Sequence, residues 1–191
     1  MSNIKYFTQE DLRSLFKAIN KSGGKYAPRD YCIFRVAYRC ALRASEVGLL
    51  KLSHYNNQQG ELYCQRLKNS QNNTIRLDDE TRKSLDKYLK GEEISDTLFL
   101  SQMNRPISRQ TLDLLMRKFC KQAKIPDKSK WHFHTLKHSI AVHLAESGLD
   151  IKELQYYLGH KNINSTMVYF QFTTKQQEEM YRKLEDNGML V

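Results

Sequence analysis

The segment HTLKHS, residues 134–139, places two histidines and a lysine within five residues. In a helix, His134, Lys137 and His138 share one face, because residues three and four apart are neighbours on a helix surface. Such a cluster can bind a metal ion, hold a phosphate or form a solvated basic face. A zinc protease carries glutamate directly after its first histidine, where this chain has Thr135, and no cysteine or acid lies close in sequence as a third ligand. The residue types therefore disfavour a metal site and leave the other two interpretations open.

Four further residues have side chains suited to phosphate chemistry. Arg43 lies in the segment ALRASE, and Lys68 ends the first strand of an expected hairpin. His160 follows a Leu-Gly pair, and Tyr169 lies a short distance beyond it. Each residue alone is weak evidence, because a single tyrosine is more often part of a core than a nucleophile. Their order and spacing along one chain are much harder to produce by accident.

Together these segments resemble the catalytic domain of the tyrosine recombinase (phage integrase) family, and the resemblance covers nearly the whole chain. ALRASE is similar to the family's first box, which gives Arg43 the first catalytic arginine position. HTLKH is similar to a His-x-Leu-Arg-His box and LGH to a Leu-Gly-His box, while Tyr169 matches the nucleophile. Lys68 matches the family's hairpin lysine, and Arg66 stands close to it. The implied catalytic residues are Tyr169, Arg43, Lys68, His134, Lys137 and His160.

The resemblance implies an enzyme that cuts and rejoins duplex DNA without metal, cofactor or ATP. A tyrosine hydroxyl attacks the scissile phosphate, giving a 3′-phosphotyrosine and a free 5′-hydroxyl, and a second hydroxyl reverses the step. Arg43 would clamp the phosphate oxygens and His160 would donate to them, because the transition state gains negative charge there. His134 would assist proton removal from Tyr169 or orient the phosphate.

Two supporting roles also follow from the resemblance. Lys68 would be the general acid for the leaving 5′-oxygen. Glu46, one helical turn beyond Arg43, would position the arginine cluster. A role for Glu46 as a capping or surface acid stays open.

The chain departs from the family's pattern at Lys137, where the family has a second arginine. Lysine keeps the charge but lacks the planar fork that binds two phosphate oxygens. Losing a transition-state contact of this kind costs about 2.7–4 kcal/mol, or roughly 10²–10³ in rate. We favour a competent enzyme attenuated by Lys137, because Tyr169 and the other positions are intact. The alternatives are a catalytically weak DNA-binding regulator or mobile-element remnant, a relative of type IB topoisomerases, and a metalloprotein built on His134 and His138.

The composition favours a nucleic-acid partner. The 191 residues carry a formal net charge of +10, and basic residues thicken between Arg105 and Lys130, which suits a polyanion because phosphate contacts dominate such binding. The four cysteines form no C-x-x-C pair, which argues against a zinc ribbon and a disulfide framework. There is no signal core and no apolar run of membrane-spanning length. We therefore expect a cytoplasmic, nucleoid-associated protein that does not contact membranes.

We expect residues 1–191 to form a single catalytic domain without the family's N-terminal core-binding domain. The helix from about residue 174 to 191 would dock on a neighbouring protomer, in a dimer or tetramer on DNA, or fold back on its own domain. Accessory DNA-bending proteins are further expected partners. The candidate DNA-contacting residues are Arg105, Arg109, Arg117, Lys118 and Lys121.

These residues must be positioned by helices and strands, and the sequence pattern predicts an α+β fold that is mostly helical, with a small antiparallel sheet. Residues 61–68 alternate with period two, a polar turn follows, and residues 74–77 can return as a partner strand. Residues 97–100 are predicted as a short strand. Capping residues and periodic apolar positions predict helices that begin near residues 8, 28, 44, 78, 108, 135, 151, 165 and 174.

Overall fold

A computed structural model describes residues 4–67, 70–90, 96–170 and 174–186 of the chain. The helices predicted from the sequence are present, although the one predicted from near residue 165 is divided into a short α-helix and a 3₁₀ helix that contains Tyr169. Among these described residues, none of the helices combines the length and the apolar character needed to cross a membrane. Short 3₁₀ helices cover Leu52–His54, Lys128–Lys130 and Val168–Phe170. The α-helices are α1 (Gln9–Lys21), α2 (Ala27–Arg39), α3 (Ala44–Val47), α4 (Asp79–Leu89), α5 (Arg109–Gln122), α6 (Thr135–Glu146), α7 (Ile151–Leu158), α8 (Asn164–Met167) and α9 (Thr174–Asp186).

Side-chain caps explain why several of these helices begin where they do. The Thr8 hydroxyl accepts from the Asp11 amide at 3.1 Å, and the Asp11 carboxylate accepts from the Thr8 amide at 3.1 Å, which completes a capping box at α1. Asp78 and Ser108 cap α4 and α5 in the same way, by accepting from amides in the first turn. These are local signals, so the sequence alone was sufficient to predict them.

Three short antiparallel strands form one sheet in chain order. They are β1 (Tyr55–Asn56), β2 (Glu61–Cys64) and β3 (Asn73–Arg76). Leu62 pairs with Ile75 and both side chains are buried, which confirms the predicted hairpin and its alternation. The prediction of a strand at 97–100 was wrong. Thr97 and Leu100 each form an isolated bridge, because their partner residues lie on different segments of the chain.

The core of the described residues consists of two hydrophobic clusters that are joined through Tyr38. The larger cluster joins helices α1, α2, α4 and α5 to the sheet, and in it the ring of Phe34 meets Phe119 and Phe133 edge-to-face at centroid distances of 5.5 and 5.3 Å. The smaller cluster joins α6 and α7 and contains Tyr169. Tyr38 packs against both clusters. Packing of the second cluster therefore fixes the backbone around the predicted nucleophile.

The end of α7 is tied to the hairpin turn. Gly159 ends this helix with φ +67°, a left-handed conformation that favours glycine. Its carbonyl accepts from the Gln71 amide at 2.8 Å, and the Asn73 side-chain amide donates to the Tyr156 carbonyl at 2.7 Å. A Cβ at position 159 would lie 2.5 Å from the Gln71 carbonyl oxygen. Only glycine therefore allows α7 to approach the backbone of Gln71 this closely.

We predict that Gly159→Ala lowers the free energy of unfolding by clearly more than Gly148→Ala. Both glycines have positive φ, +67° and +96°, so alanine pays a left-handed backbone cost of about 1–2 kcal/mol at either position. Nothing lies within 4 Å of a Cβ at Gly148, whereas a Cβ at Gly159 collides with the Gln71 backbone. Chemical denaturation of the two variants and the parent measures the difference. Equal losses would contradict a close contact between α7 and the hairpin turn.

Candidate active site

An open cleft of about 910 Å³ collects most of the residues that the sequence predicted as catalytic. Its walls come from the start of α3, the first turns of α6, and the segment that runs from His160 to the 3₁₀ helix Val168–Phe170. Lys68, the predicted hairpin lysine, lies outside the described residues. The predicted residues that line the cleft are Arg43, His134, Lys137, His160 and Tyr169.

Glu46 holds Arg43 at the N-terminus of α3. The Arg43 guanidinium donates to the Glu46 carboxylate at 2.7 Å and to the Ser70 hydroxyl at 3.2 Å, and its backbone amide donates to the same carboxylate at 2.9 Å. Burial raises the pKa of Glu46, but the Arg43 amide and the charge of Lys137 outweigh it and hold the pKa below its usual value. Glu46 is therefore an anion at neutral pH, and Arg43 is oriented before any ligand binds.

Arg66 is a fully buried arginine to which the sequence analysis assigned no role. Its guanidinium lies 3.6 Å from the Glu46 carboxylate and donates to the carbonyls of Cys40 and Ala41 at 2.9 and 3.0 Å. Its Nε also donates to the Asn73 side chain at 3.0 Å. The period-two pattern of the strand contained the signal, since it places position 66 on the same inward face as the buried Leu62 and Cys64. A charged arginine on that buried face indicates that a buried acidic side chain lies nearby.

Lys137 lines the cleft but is almost completely buried, with 1% of its surface exposed. Its Nζ donates to the Leu158 carbonyl at 3.2 Å, just before the Leu-Gly-His segment. Burial, followed by the charges of Arg43 and Arg66, lowers the pKa of Lys137 to about 7, although Glu46 opposes the shift. An arginine at this position would stay charged at every physiological pH, whereas Lys137 titrates near neutrality.

His160 is held in one orientation by a buried threonine. Its Nδ1 lies 3.0 Å from the hydroxyl of Thr166, and both side chains are buried. Burial, followed by the charges of Lys137 and Arg43, lowers the pKa of His160 to about 4, so the ring is neutral at pH 7. When the Thr166 hydroxyl donates to Nδ1, the proton on Nε2 is left to donate a hydrogen bond to an anion.

The Tyr169 hydroxyl is hydrogen-bonded to His138. The distance from Tyr169 Oη to His138 Nδ1 is 2.8 Å, and the two ring centroids lie 5.8 Å apart. Burial raises the pKa of Tyr169 to about 12, although the charge of Arg43 opposes it. Burial, followed by the charge of Lys137, lowers the pKa of His138, so a neutral imidazole faces a protonated phenol.

His134, the residue for which the sequence predicted a role at the tyrosine, contacts the His138 ring instead. The two ring centroids lie 4.4 Å apart at an interplanar angle of 81°, and His134 is exposed at the mouth of the cleft. Desolvation in the cleft, followed by the charges of His138 and Lys137, lowers the pKa of His134 to about 4. Over the described ranges, no three His, Cys, Asp or Glu side chains come together as a group able to hold a metal ion.

The predicted DNA-contacting residues are exposed on α5 and in the loop that precedes it. α5 buries Leu112, Met116 and Phe119 against the core and turns its opposite face to solvent. Arg109 lines the cleft and lies 3.8 Å from the Asp113 carboxylate. The exposed basic residues on this face and in the loop before it are Arg105, Arg109, Arg117, Lys118 and Lys121.

Comparisons with known proteins identify the family and the fold of the chain. A sequence model of the phage integrase family matches residues 5–176. The chain is 30% identical to the type 1 fimbriae regulatory protein FimE of Escherichia coli (strain K12), over 88% of this chain and 86% of that protein. It is 30% identical to tyrosine recombinase XerC of Caldanaerobacter subterraneus subsp. tengcongensis, over 93% of this chain but 50% of that protein. The crystal structure of XerA recombinase superposes with a TM-score of 0.78 at 25% identity, and this chain spans 64% of its length.

We predict that Arg66→Ala lowers the free energy of unfolding by about 3–5 kcal/mol, because it removes one of the two arginines paired with the buried Glu46 carboxylate and leaves two buried backbone carbonyls without their donor. The control is Arg109→Ala, whose side chain is 70% exposed and whose ion pair with Asp113 is worth at most about 1 kcal/mol. Thermal and denaturant unfolding measure both variants. A small loss at position 66, similar to the control, would show that the buried guanidinium does not stabilise the site.

Proposed function

Because the chain belongs to the phage integrase family, we propose that it is a site-specific tyrosine recombinase that cuts and rejoins duplex DNA with Tyr169 as its nucleophile. The observation that carries the proposal is that the Tyr169 hydroxyl lines the same cleft as Arg43, Lys137 and His160. These three groups supply positive charge and hydrogen-bond donors around the place where a phosphate must lie for the tyrosine to attack it.

In the proposed reaction, the Tyr169 oxygen attacks the scissile phosphorus and the 5′-oxygen leaves, which produces a 3′-phosphotyrosine. The reverse attack by a 5′-hydroxyl rejoins the strand, so the phosphodiester bond energy is kept and no ATP is needed. Arg43 binds the non-bridging oxygens and His160 donates to one of them. Lys68 protonates the leaving oxygen. No metal ion takes part in this scheme.

We propose that duplex DNA lies over the cleft and along the exposed face of α5. The net charge of +10 and the basic residues on this face provide the electrostatic attraction. Arg109 borders both the cleft and this face, so it is placed to contact the backbone next to the scissile phosphate. Strand exchange between two sites requires several protomers on DNA, and accessory DNA-bending proteins would set their arrangement.

A second candidate, a DNA-binding regulator that cuts poorly, is favoured by one observation. Lys137 replaces the family's second arginine, is buried, and directs its Nζ to the Leu158 carbonyl. In that arrangement the lysine stabilises the backbone beside His160 as well as supplying charge. Covalent chemistry separates the two candidates, because a regulator binds DNA without forming an adduct.

We expect a covalent protein–DNA adduct when the protein is incubated in EDTA with a library of nicked duplexes, in which loss of a short strand traps the 3′-phosphotyrosine. Tyr169→Phe removes the nucleophile, so it should bind the same duplexes and form no adduct. Tyr181→Phe is the matched control, since Tyr181 is 55% exposed on α9. Denaturing electrophoresis and sequencing of the captured strands measure adduct formation. Binding without adduct on selected sites would favour the regulator, and loss of the adduct in EDTA would indicate a metal.

We predict that Lys137→Arg maintains or increases cleavage, with an advantage that grows from about pH 6 to about pH 9. The pKa of Lys137 is about 7, so the lysine is charged below that pH and loses its charge above it, while arginine keeps its charge throughout. Single-turnover cleavage rates across this range, with Lys130→Arg as the control, test the prediction. A large loss of activity at every pH would show instead that the buried site is shaped around lysine.

A further inference from the structure

The hydrogen bond between Tyr169 and His138 gives the site a group whose role the family resemblance does not assign. His138 Nδ1 lies 2.8 Å from Tyr169 Oη, the atom that attacks phosphorus in the proposed reaction. His138 and Lys137 are adjacent in α6 but point in different directions, Lys137 toward the Leu158 carbonyl and His138 toward the 3₁₀ helix Val168–Phe170. α6 packs against this 3₁₀ helix, so the contact is part of the folded core and not a chance meeting of surface side chains.

We propose that His138 is a catalytic residue of this reaction: it accepts the proton of Tyr169 as the tyrosine oxygen bonds to phosphorus, and it returns that proton when the strand is rejoined. The inference rests on the proposed function and adds to it the identity of the base. It assigns to His138 the task that the resemblance suggested for His134.

The step balances with groups that the site contains or that the reaction supplies. During cleavage the Oη–H bond breaks and the Oη–P bond forms, while the proton moves to His138 Nδ1. The P–O5′ bond breaks at the same time, and the leaving oxygen takes a proton from a separate acid, Lys68 or water. In rejoining, the attacking 5′-hydroxyl gives its proton to that second group, and the tyrosine oxygen recovers its own from His138. No net proton is consumed over the two steps.

The surroundings of His138 suit a base. Its imidazole is neutral, because burial and the neighbouring Lys137 disfavour the charged form, so Nδ1 has a free lone pair for the phenol proton. The phenol of Tyr169 is buried and does not lose its proton unaided, so an acceptor in direct contact is required. The phosphate that binds in the cleft brings negative charge close to the imidazolium that forms, which offsets the repulsion from Lys137.

The position of His134 agrees with this assignment. It lies at the exposed mouth of the cleft, with its ring centroid 4.4 Å from that of His138. From there it orients the His138 ring edge-to-face, which favours the geometry in which Nδ1 faces Tyr169. His134 therefore acts through His138, as a positioning residue.

The test compares His138→Ala and His138→Asn with the parent protein in single-turnover cleavage of a captured nicked duplex. Asparagine places an amide oxygen close to the position of Nδ1, so it retains a hydrogen-bond acceptor for the tyrosine but cannot take its proton. We expect both variants to cut roughly 10²–10⁴ times more slowly than the parent, the range typical of general acid–base catalysis. His134→Asn should lose less activity than these two variants, because it removes a positioning group and not the base. His54→Asn, the matched control outside the cleft, should cut at the parental rate.

A second substrate separates the base from the acid. When the leaving 5′-oxygen is replaced by sulfur, the leaving group no longer needs a proton. A variant that lacks the acid, such as Lys68→Ala, should therefore recover on this substrate, and the His138 variants should not. DNA affinity by mobility shift and thermal unfolding should stay near the parent values, which shows that the variants are folded.

Five outcomes decide the inference. A deficit that both His138 variants keep on the sulfur substrate supports it. A parental rate for His138→Asn would overturn it in favour of simple positioning, and rescue of either variant by sulfur would overturn it in favour of an acid role. If the parent forms adducts and His138→Ala cuts as fast, the inference fails while the proposed function stands. If the parent forms no adduct on any selected duplex, the proposed function fails and this inference with it.

Discussion

The site depends on one buried carboxylate. Glu46 is fully buried, accepts hydrogen bonds from Arg43 and from the Leu67 amide at 3.1 Å, and lies 3.6 Å from the guanidinium of Arg66. Without this anion the cations at positions 43, 66 and 137 would repel one another in a region of low dielectric. Because Leu67 precedes Lys68, the same carboxylate also fixes the end of the hairpin beside α3. Charge balance and chain geometry at the cleft therefore come from a single side chain.

This balance is incomplete in the free protein. Several cations share one carboxylate, and burial together with the charges of Arg43 and Arg66 lowers the pKa of Lys137. A phosphodiester in the cleft would supply the missing negative charge. Its binding should therefore raise the pKa of Lys137, and protonation of Lys137 should in turn raise the affinity of the cleft for phosphate. An arginine would hold its charge whether or not DNA is bound. The charge on Lys137 therefore depends on whether DNA occupies the cleft, whereas the charge on the family's usual arginine does not.

The sequence predicted what local patterns determine. Caps and periodic apolar residues identified the helices, and the resemblance of the boxes to the family's motifs predicted that Arg43, His160 and Tyr169 lie close together, as they do in the cleft. Strand β1 was missed because two residues carry no alternation, and it exists only by pairing with β2. The bond from His138 to Tyr169 spans 31 positions, and that from Arg66 to the Cys40 carbonyl spans 26. Such contacts depend on how whole helices pack, which no short motif encodes.

The structure of the segment between His160 and Tyr169 constrains how many residues that segment can contain. It contains α8 and the 3₁₀ helix Val168–Phe170, and Thr166 within α8 is itself bonded to His160. Each residue of a helix turns the chain by about 100°. One inserted or deleted residue here would therefore rotate Tyr169 away from His138, to which it is hydrogen-bonded. Loops elsewhere on the surface absorb such changes. Between these two residues, chain length is as strongly constrained as residue identity.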